Sequence, residues 1–528
     1  MLAMLNKIND ASMIDEIIFK DLQEKSRIES LSYLDALALA NKHQAQFWPF
    51  WMHRCDIASQ LLLELLAKYT GLEVAQIDTL EETQQLIQTD IGKTLFQNNC
   101  LPLTITLNTI TVIVATSEAI EWLQQWHFHH PCQLTIKLCT LCDFIQCKTK
   151  LRMDLCYAQL AAQQHTQDTA LSDLANYLLH YALAHFASDI HGEPRWNCFS
   201  IRMRIHGILE HTYSFPLHIS KQLTNRFKIL SQCDVSNTRL PQDGHICIDH
   251  YPSGKQDARI HFCPTTHGEK WVIRLLPQNR TVKIDELGFS LLDLDHMKKS
   301  MSQPQGLILV TGPTGSGKTT TLYALLQTLN HHAMNISTIE DPVEKQLDHI
   351  NQIQTNHAIG FDFATGLKSL LRQDPDVIMI GEIRDTETAT IALKAAQTGH
   401  LVLATLHSNS TTHTISRLLA MGFHPELLSQ TIITIIAQRL ARRICVKCRG
   451  NSKDCAHCHD GYSSRIPMYE CMMINKSIRA IIETQPFQAD QLEAEACRLG
   501  MKTLKQSGQD LIHQGITDLK EIHRVIIH

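Results

Sequence analysis

No stretch of this chain approaches the about 18–20 uninterrupted apolar residues that a membrane-spanning helix needs. The run TITLNTITVIVAT is interrupted by threonines and predicts strand. A basic surplus is missing too: 48 Lys and Arg against 53 Asp and Glu leave a net charge of −5, so nucleic acid is not an expected partner. The opening MLAMLNKINDASMIDE places Asp10 and Asp15 where a secretory signal requires an apolar core. Seventeen cysteines is an odd number spread over a long chain, which predicts a reducing cytoplasm rather than a disulfide framework. No internal repeat or low-complexity tract stands out. What remains is a composition of 44% hydrophobic and 19% charged residues, that of a soluble globular protein. At 528 residues it is too long for one core, and roughly 150 residues per domain predicts three or four units.

Residues 1 to about 150 mix helical stretches such as ASQLLLELLAKY and SEAIEWLQQW with the β-branched runs LTITL and ITVIVAT. Cys139 and Cys142 form a C-x-x-C among alternating apolar residues there and read as small core side chains. A second segment, 160–285, alternates helix-like SDLANYLLHYALAHFA and HISKQLTNRFKIL with strand-like FSIRMRI and WVIRLL. From 286 to 440 the runs GLILVTG, DVIMIGE and LVLATLH alternate with helical stretches, which predicts a mainly parallel sheet wound by helices. The tail, 475–528, reads as helical, with turns expected at Gly500, Gly508 and Gly515.

The strand GLILV runs directly into TGPTGSGKTTTLYALLQTL, where Gly312, Gly317, Lys318 and Thr319 satisfy G-x-x-x-x-G-K-T in a strand–loop–helix context. Such a loop curls so that amides face phosphate oxygens at a helix N-terminus. The cradle spans Gly312, Pro313, Thr314, Gly315, Ser316, Gly317, Lys318, Thr319 and Thr320. Lys318 is expected to neutralise the β- and γ-phosphates of ATP, and the Thr319 hydroxyl to ligate Mg²⁺. Hydrolysis needs more. TIEDPVE supplies Glu340, Asp341 and Glu344 after an apolar strand, and DPDVIMIGEIRD supplies Glu382 after another. His400 and His407 bracket LVLATL and are candidate donors near a γ-phosphate.

Between 445 and 458, CVKCRGNSKDCAHC carries two C-x-x-C pairs separated by six residues. Cys445, Cys448, Cys455 and Cys458 can offer four thiolates to one tetrahedral Zn²⁺ in a structural site. A redox pair would need only one C-x-x-C, commonly at a helix N-terminus, and incidental cysteines are the third possibility. His457 and His459 are spare donors that read as surface residues.

These blocks, in this order, resemble the secretion-superfamily ATPases, that is the type IV pilus assembly ATPases and the type II secretion ATPases. The resemblance runs from SDIHGEP to the C-terminus through RLPQDG, ELGFS, TIEDPVE, GEIRD, AAQTGHLVLATLHSN and IAQRLARRIC. It implies an α/β fold with a RecA-like ATPase core at 286–528, including the cysteine subdomain 445–458 and the helical tail. A PAS-like domain at 160–285 and a small mixed α/β domain at 1–155, for docking or regulation, would precede it. It implies Glu344 as the catalytic carboxylate, Glu382 near Mg²⁺, His407 closing a histidine box, and Arg259 and Arg274 reaching the phosphates of ATP. A cytoplasmic homo-hexamer is implied, peripheral at the inner membrane, where domain closure on ATP would drive a platform protein that adds pilins. The chain departs from the family at His206 in RMRIHG, where Asp is usual, at His245 in QDGH, where Arg is usual, and in RIHFCPT. Loss of that arginine removes a permanent bidentate donor. The alternatives are a type II secretion ATPase, an ATP-gated structural module with weak turnover, and, against the acidic charge, a DNA motor.

Overall fold

Strands buried on both faces must be apolar at every position, whereas strands with one wet face alternate. Both patterns occur here and separate the sheets. The computed structural model describes residues 11–24, 32–42, 47–48, 52, 59–75, 81–106, 108–162, 168–250, 254–276, 282–330, 333–451, 455, 458 and 460–526. They form two compact units, 1–280 with 447–461 and 281–446 with 462–528. No helix among the described residues is long and apolar enough to cross a membrane.

The first unit contains two sheets. Strands β1 (Glu73–Val74), β2 (Leu101–Ile105), β3 (Thr109–Val114) and β4 (Gln133–Leu138) lie in the order β1-β4-β3-β2. TITLNTITVIVAT is therefore strand, as its composition predicts, with β2 and β3 antiparallel. The helices Ala11–Glu24 and Ser59–Thr70 bury Ile18, Phe19, Leu62 and Leu66 in one core with Val112 and Val114. The helix Leu141–Ala162 serves two cores: Phe144, Cys147 and Leu151 pack with the first sheet, Met153, Cys156 and Leu160 with the second. Cys139 is buried as read, but Cys142 is exposed at the start of that helix and is no core residue.

The second sheet is antiparallel throughout. Strands β5 (Ala187–Pro194), β6 (Phe199–Ile205), β7 (Ile208–Phe215), β8 (Gln242–His250), β9 (Gly254–Thr265) and β10 (Gly268–Leu275) lie in the order β7-β6-β5-β10-β9-β8. Fully buried Trp271 packs edge-on against Phe227 from the helix Leu217–Leu230, with ring centres 4.7 Å apart. Gly192 lies under that indole, where a Cβ would come within 2.2 Å of Trp271 Cε2. His206 and Gly207, with φ of 49° and 87°, make the two-residue turn between β6 and β7. A type I′ hairpin turn needs positive φ at both positions, which His, like Asp, tolerates better than most residues. The His206 departure therefore falls on a turn.

The second unit is built on β11 (Gly306–Thr311), β12 (Ile336–Glu340), β13 (Asn351–Gln354), β14 (Val377–Ile380), β15 (Leu401–Leu406), β16 (Ile432–Ile444) and β17 (Tyr462–Met473). Their order is β13-β12-β14-β15-β11-β16-β17, parallel except for the antiparallel pair β16–β17. β11, β14 and β15 are buried at every position, and helices cover both faces. Parallel order brings the C-terminal ends of β11, β12, β14 and β15 to one edge, where ligands of such sheets bind.

The tail is helical as expected, in Lys476–Glu483, Ala489–Arg498, Leu504–His513 and Leu519–Ile526. Buried Glu470 on β17 anchors two helices. Its carboxylate accepts from Thr411 N at 2.8 Å, where Thr411–Ala420 begins, and from Leu504 N at 3.1 Å. Gly508 is not a turn, contrary to expectation. It lies inside Leu504–His513, where a Cβ would meet Ile522 Cγ2 at 3.0 Å and Met468 Sδ at 3.3 Å. Gly508→Val should overpack this contact and destabilise the second unit by about 1–3 kcal/mol, read as a lower urea midpoint.

Candidate functional site

β11 ends at Thr311 and the helix Lys318–Leu329 begins after the loop 312–317. Gly312, Gly315 and Gly317 have φ of 150°, 78° and 90°, which other residues rarely adopt. Space is short behind two of them. A Cβ on Gly312 would lie 2.6 Å from the Gln438 carbonyl oxygen, and one on Gly317 would lie 2.7 Å from Gln438 Nε2. Pro313, Thr314, Gly315, Thr319 and Thr320 are exposed, so the open side of the loop faces solvent. Ser316 Oγ is buried without a hydrogen-bond partner among the described residues. A phosphate oxygen would satisfy such an orphan.

Lys318 Nζ donates to the carbonyls of Gly312 and Pro313 at 2.8 and 3.1 Å. Burial lowers its pKa to about 8; Glu382 opposes that shift and Arg439 adds to it. Glu382, following β14, connects several of the expected groups. Its Oε1 lies 2.8 Å from His407 Nε2 and its Oε2 accepts from Arg384 Nε at 2.8 Å. Arg384 Nη1 also reaches Asp341 Oδ2 at 3.3 Å. The ends of β12, β14 and β15 are thus linked through Asp341, Arg384, Glu382 and His407.

The acids of TIEDPVE divide by environment. Glu340 is buried and saturated, accepting from Tyr323 Oη, from Thr338 Oγ1 at 2.6 Å and from Gln352 Nε2 at 3.0 Å. It is a packing group. Glu344 is half-buried and carries no side-chain hydrogen bond or ion pair among the described residues. His400 does not join the group. It precedes β15, at the opposite sheet edge from His407, and its Nδ1 lies 3.0 Å from the Ala395 carbonyl oxygen.

Arg259 and Arg274 lie in the first unit, directly paired across β9 and β10. The row extends over five strands: His245 opposite Arg259, Arg274 opposite Asp189, and Asp189 opposite Arg204. Arg274 Nε donates to Asp189 Oδ1 at 3.0 Å, and His245 Nε2 lies 3.5 Å from Asp257 Oδ1. Arg259 is exposed and has no ion pair among the described residues.

The four cysteines converge. The sulfurs of Cys445, Cys448, Cys455 and Cys458 lie within 4.8 Å of one another, with Cys448 and Cys458 at 3.5 Å. Tetrahedral zinc with Zn–S near 2.3 Å needs sulfurs about 3.8 Å apart, so the cluster could hold a metal ion. Gly450 and Gly461 close the short spacer: a Cβ on Gly461 would lie 2.9 Å from Gly450 Cα. The segment joins β16 to β17. His457 and His459 lie outside the described residues.

Sequence reasoning missed Gln438 and Arg439. Gln438 Oε1 accepts from Thr321 Oγ1 at 2.7 Å, one turn into the helix after the loop. Buried Arg439 donates to the carbonyls of Gln438 and Asn409, each at 3.0 Å. The available signal was two polar side chains inside the apolar run IITIIAQRLA, since buried polar groups in a central strand have partners.

The family described as "Type II/IV secretion system protein" matches residues 164–524. The type IV pilus assembly ATPase PilB of Myxococcus xanthus is 42% identical over 383 residues, 67% of this chain and 68% of that protein. The type II secretion system protein HxcR of Pseudomonas aeruginosa is 43% identical over 369 residues, 68% of this chain and 78% of that protein. The X-ray structure of the Legionella pneumophila ATPase DotB has a similar fold, with a TM-score of 0.54 at 21% identity over 69% of this chain and 96% of that one.

The lowered Lys318 pKa has a direct consequence for phosphate binding. An ammonium holds an anion, and free Lys318 loses its proton above about pH 8. ADP affinity, followed by calorimetry from about pH 7 upward where the ADP phosphates are fully ionised, should be flat to about pH 8 and then fall by up to about tenfold per pH unit. Lys318→Ala should weaken binding and flatten the profile.

Proposed function

The chain belongs to the type II/IV secretion system protein family, and from that premise we propose that it is a hexameric ATP hydrolase powering type IV pilus assembly. In this reading it works at the cytoplasmic face of the inner membrane and drives a platform protein that adds pilins to a fibre. The observation that carries it is the meeting of Lys318, Glu382 and His407 at one sheet edge, beside a phosphate-sized loop.

In this reading each group has an assigned role. The loop 312–320 binds the phosphates of ATP, with Ser316 Oγ and the N-terminal amides as donors. Lys318 leaves the carbonyls of Gly312 and Pro313 for the β- and γ-phosphates, and the burial that lowers its pKa makes the exchange favourable. Thr319 and Glu382 would hold Mg²⁺, which would neutralise charge on the transferring phosphoryl group. Glu344, whose side chain has no partner among the described residues, takes a proton from the water that attacks the γ-phosphate, and ADP is the leaving group. His407, 2.8 Å from Glu382, reports the state of that carboxylate to β15. Arg259 and Arg274 supply guanidinium groups for the developing phosphate charge. We assign residues 1–155 to docking or regulation, 160–285 to a PAS-like domain and 286–528 to the RecA-like motor domain.

Zn²⁺ in the four-cysteine cluster has no open coordination position in this reading, so it braces the β16–β17 connection and takes no part in the reaction. A second reading, a type II secretion ATPase, is favoured by the equally strong similarity to HxcR. The membrane protein that co-purifies with the ring distinguishes the two.

Phosphate release by the purified chain is the primary test. Lys318→Ala should abolish turnover and fibre assembly, while Glu344→Gln should retain ATP binding and lose about 10²–10⁴-fold in rate. Full turnover in either variant contradicts the assignment. Metal analysis of reduced protein should find about one zinc per chain, lost together with thermal stability in Cys458→Ser. Protein that is metal-free and equally stable would remove the brace.

A further inference from the structure

The first unit contains a cavity of about 360 Å³ that no step of the proposed reaction uses. Lys148, 6% exposed, projects from the helix Leu141–Ala162, and its Nζ donates to Asn99 Oδ1. The same ammonium lies 5.4 Å from the centre of the Phe96 ring, and the Arg152 guanidinium, one helical turn on, lies 5.8 Å from it. His180, from the helix Asp168–Ala184, adds a third basic side chain to the lining. Leu141 and Phe144 supply an apolar wall. Among the described residues no Asp or Glu lines the cavity.

Two cations enclosed together without a carboxylate repel each other and lose water, so folding alone does not favour the arrangement. Burial, reinforced by Arg152, lowers the Lys148 pKa to about 7. A phosphate dianion would relieve both penalties, because it restores the full charge of the ammonium and gives the guanidinium two oxygens to bind bidentately. The volume falls at the small end of ordinary ligand pockets, roughly 300–1,000 Å³.

We propose that this cavity binds a small phosphate ester with a planar or apolar body, its phosphate held between Lys148 and Arg152 and its body against Phe144 and Leu141. The site shares no residue with the loop 312–320 and does not depend on ATP hydrolysis. Phenyl phosphate is a suitable probe, with benzoate and benzyl alcohol as the carboxylate and neutral comparators.

Calorimetry on the full chain, with the loop 312–320 saturated by Mg–ADP, tests the proposal. One phenyl phosphate per chain should bind, at least tenfold more weakly in Lys148→Met and in Arg152→Gln, with benzyl alcohol silent. Arg152 is half-buried, so its glutamine variant should fold even if the change at Lys148 perturbs packing. Absence of saturable binding, equal affinity in Arg152→Gln, or tighter binding of benzoate than of phenyl phosphate would overturn the proposal.

Discussion

The active edge depends on one close approach, that of the loop 312–317 to β16 at Gln438. The strand backbone stands where a side chain on Gly312 would be, and the Gln438 amide stands where one on Gly317 would be. The other end of that amide accepts from Thr321, so one side chain fixes both the loop and the helix that follows it. Glycine is needed twice over, for φ and for space. With the loop seated, its open side at Pro313, Thr314 and Gly315 faces solvent, while Ser316 Oγ is left without a partner among the described residues. A phosphate oxygen would supply what the fold omits.

The same strand links the chemistry to the cysteines. β16 begins beside β11, carries Gln438 and Arg439 behind the loop, and ends at Ile444, one residue before Cys445. Its partner β17 returns from the cluster with Glu470, which holds the first turns of two helices. A four-thiolate metal site here would fix the closed end of the hairpin whose middle, at Gln438, supports the phosphate loop. One strand thus runs from behind the phosphate loop to the residue before Cys445, although the two motifs lie more than a hundred residues apart in sequence.

What the sequence makes legible follows from how local the cause is. The continuous apolar runs of β11, β14 and β15 announce a covered parallel sheet, and the glycine spacing announces the loop. Long-range partners are less legible. Glu340 and Glu344 look alike in TIEDPVE, and only Tyr323, Thr338 and Gln352, brought in by folding, separate the buried acid from the free one. His400 and His407 flank the same strand, and its direction places them at opposite edges. Gly508 has the local signature of a turn, yet its reason is the side chain of Ile522. Gln438 and Arg439 carry a legible anomaly, polarity in an apolar strand, but the loop they serve is visible only in three dimensions.

The central claim is that a loop seated on β16 turns a sheet edge into a site that cleaves ATP repeatedly. The most direct measurement is the time course of phosphate release from ATP and Mg²⁺ by the purified chain, run beside Gly312→Ala. Continuous release by the parent chain, reduced at least about a hundredfold in a folded Gly312→Ala by loss of the positioned donors, is the predicted result. A single stoichiometric burst from the parent chain, or undiminished turnover with alanine at 312, would contradict it.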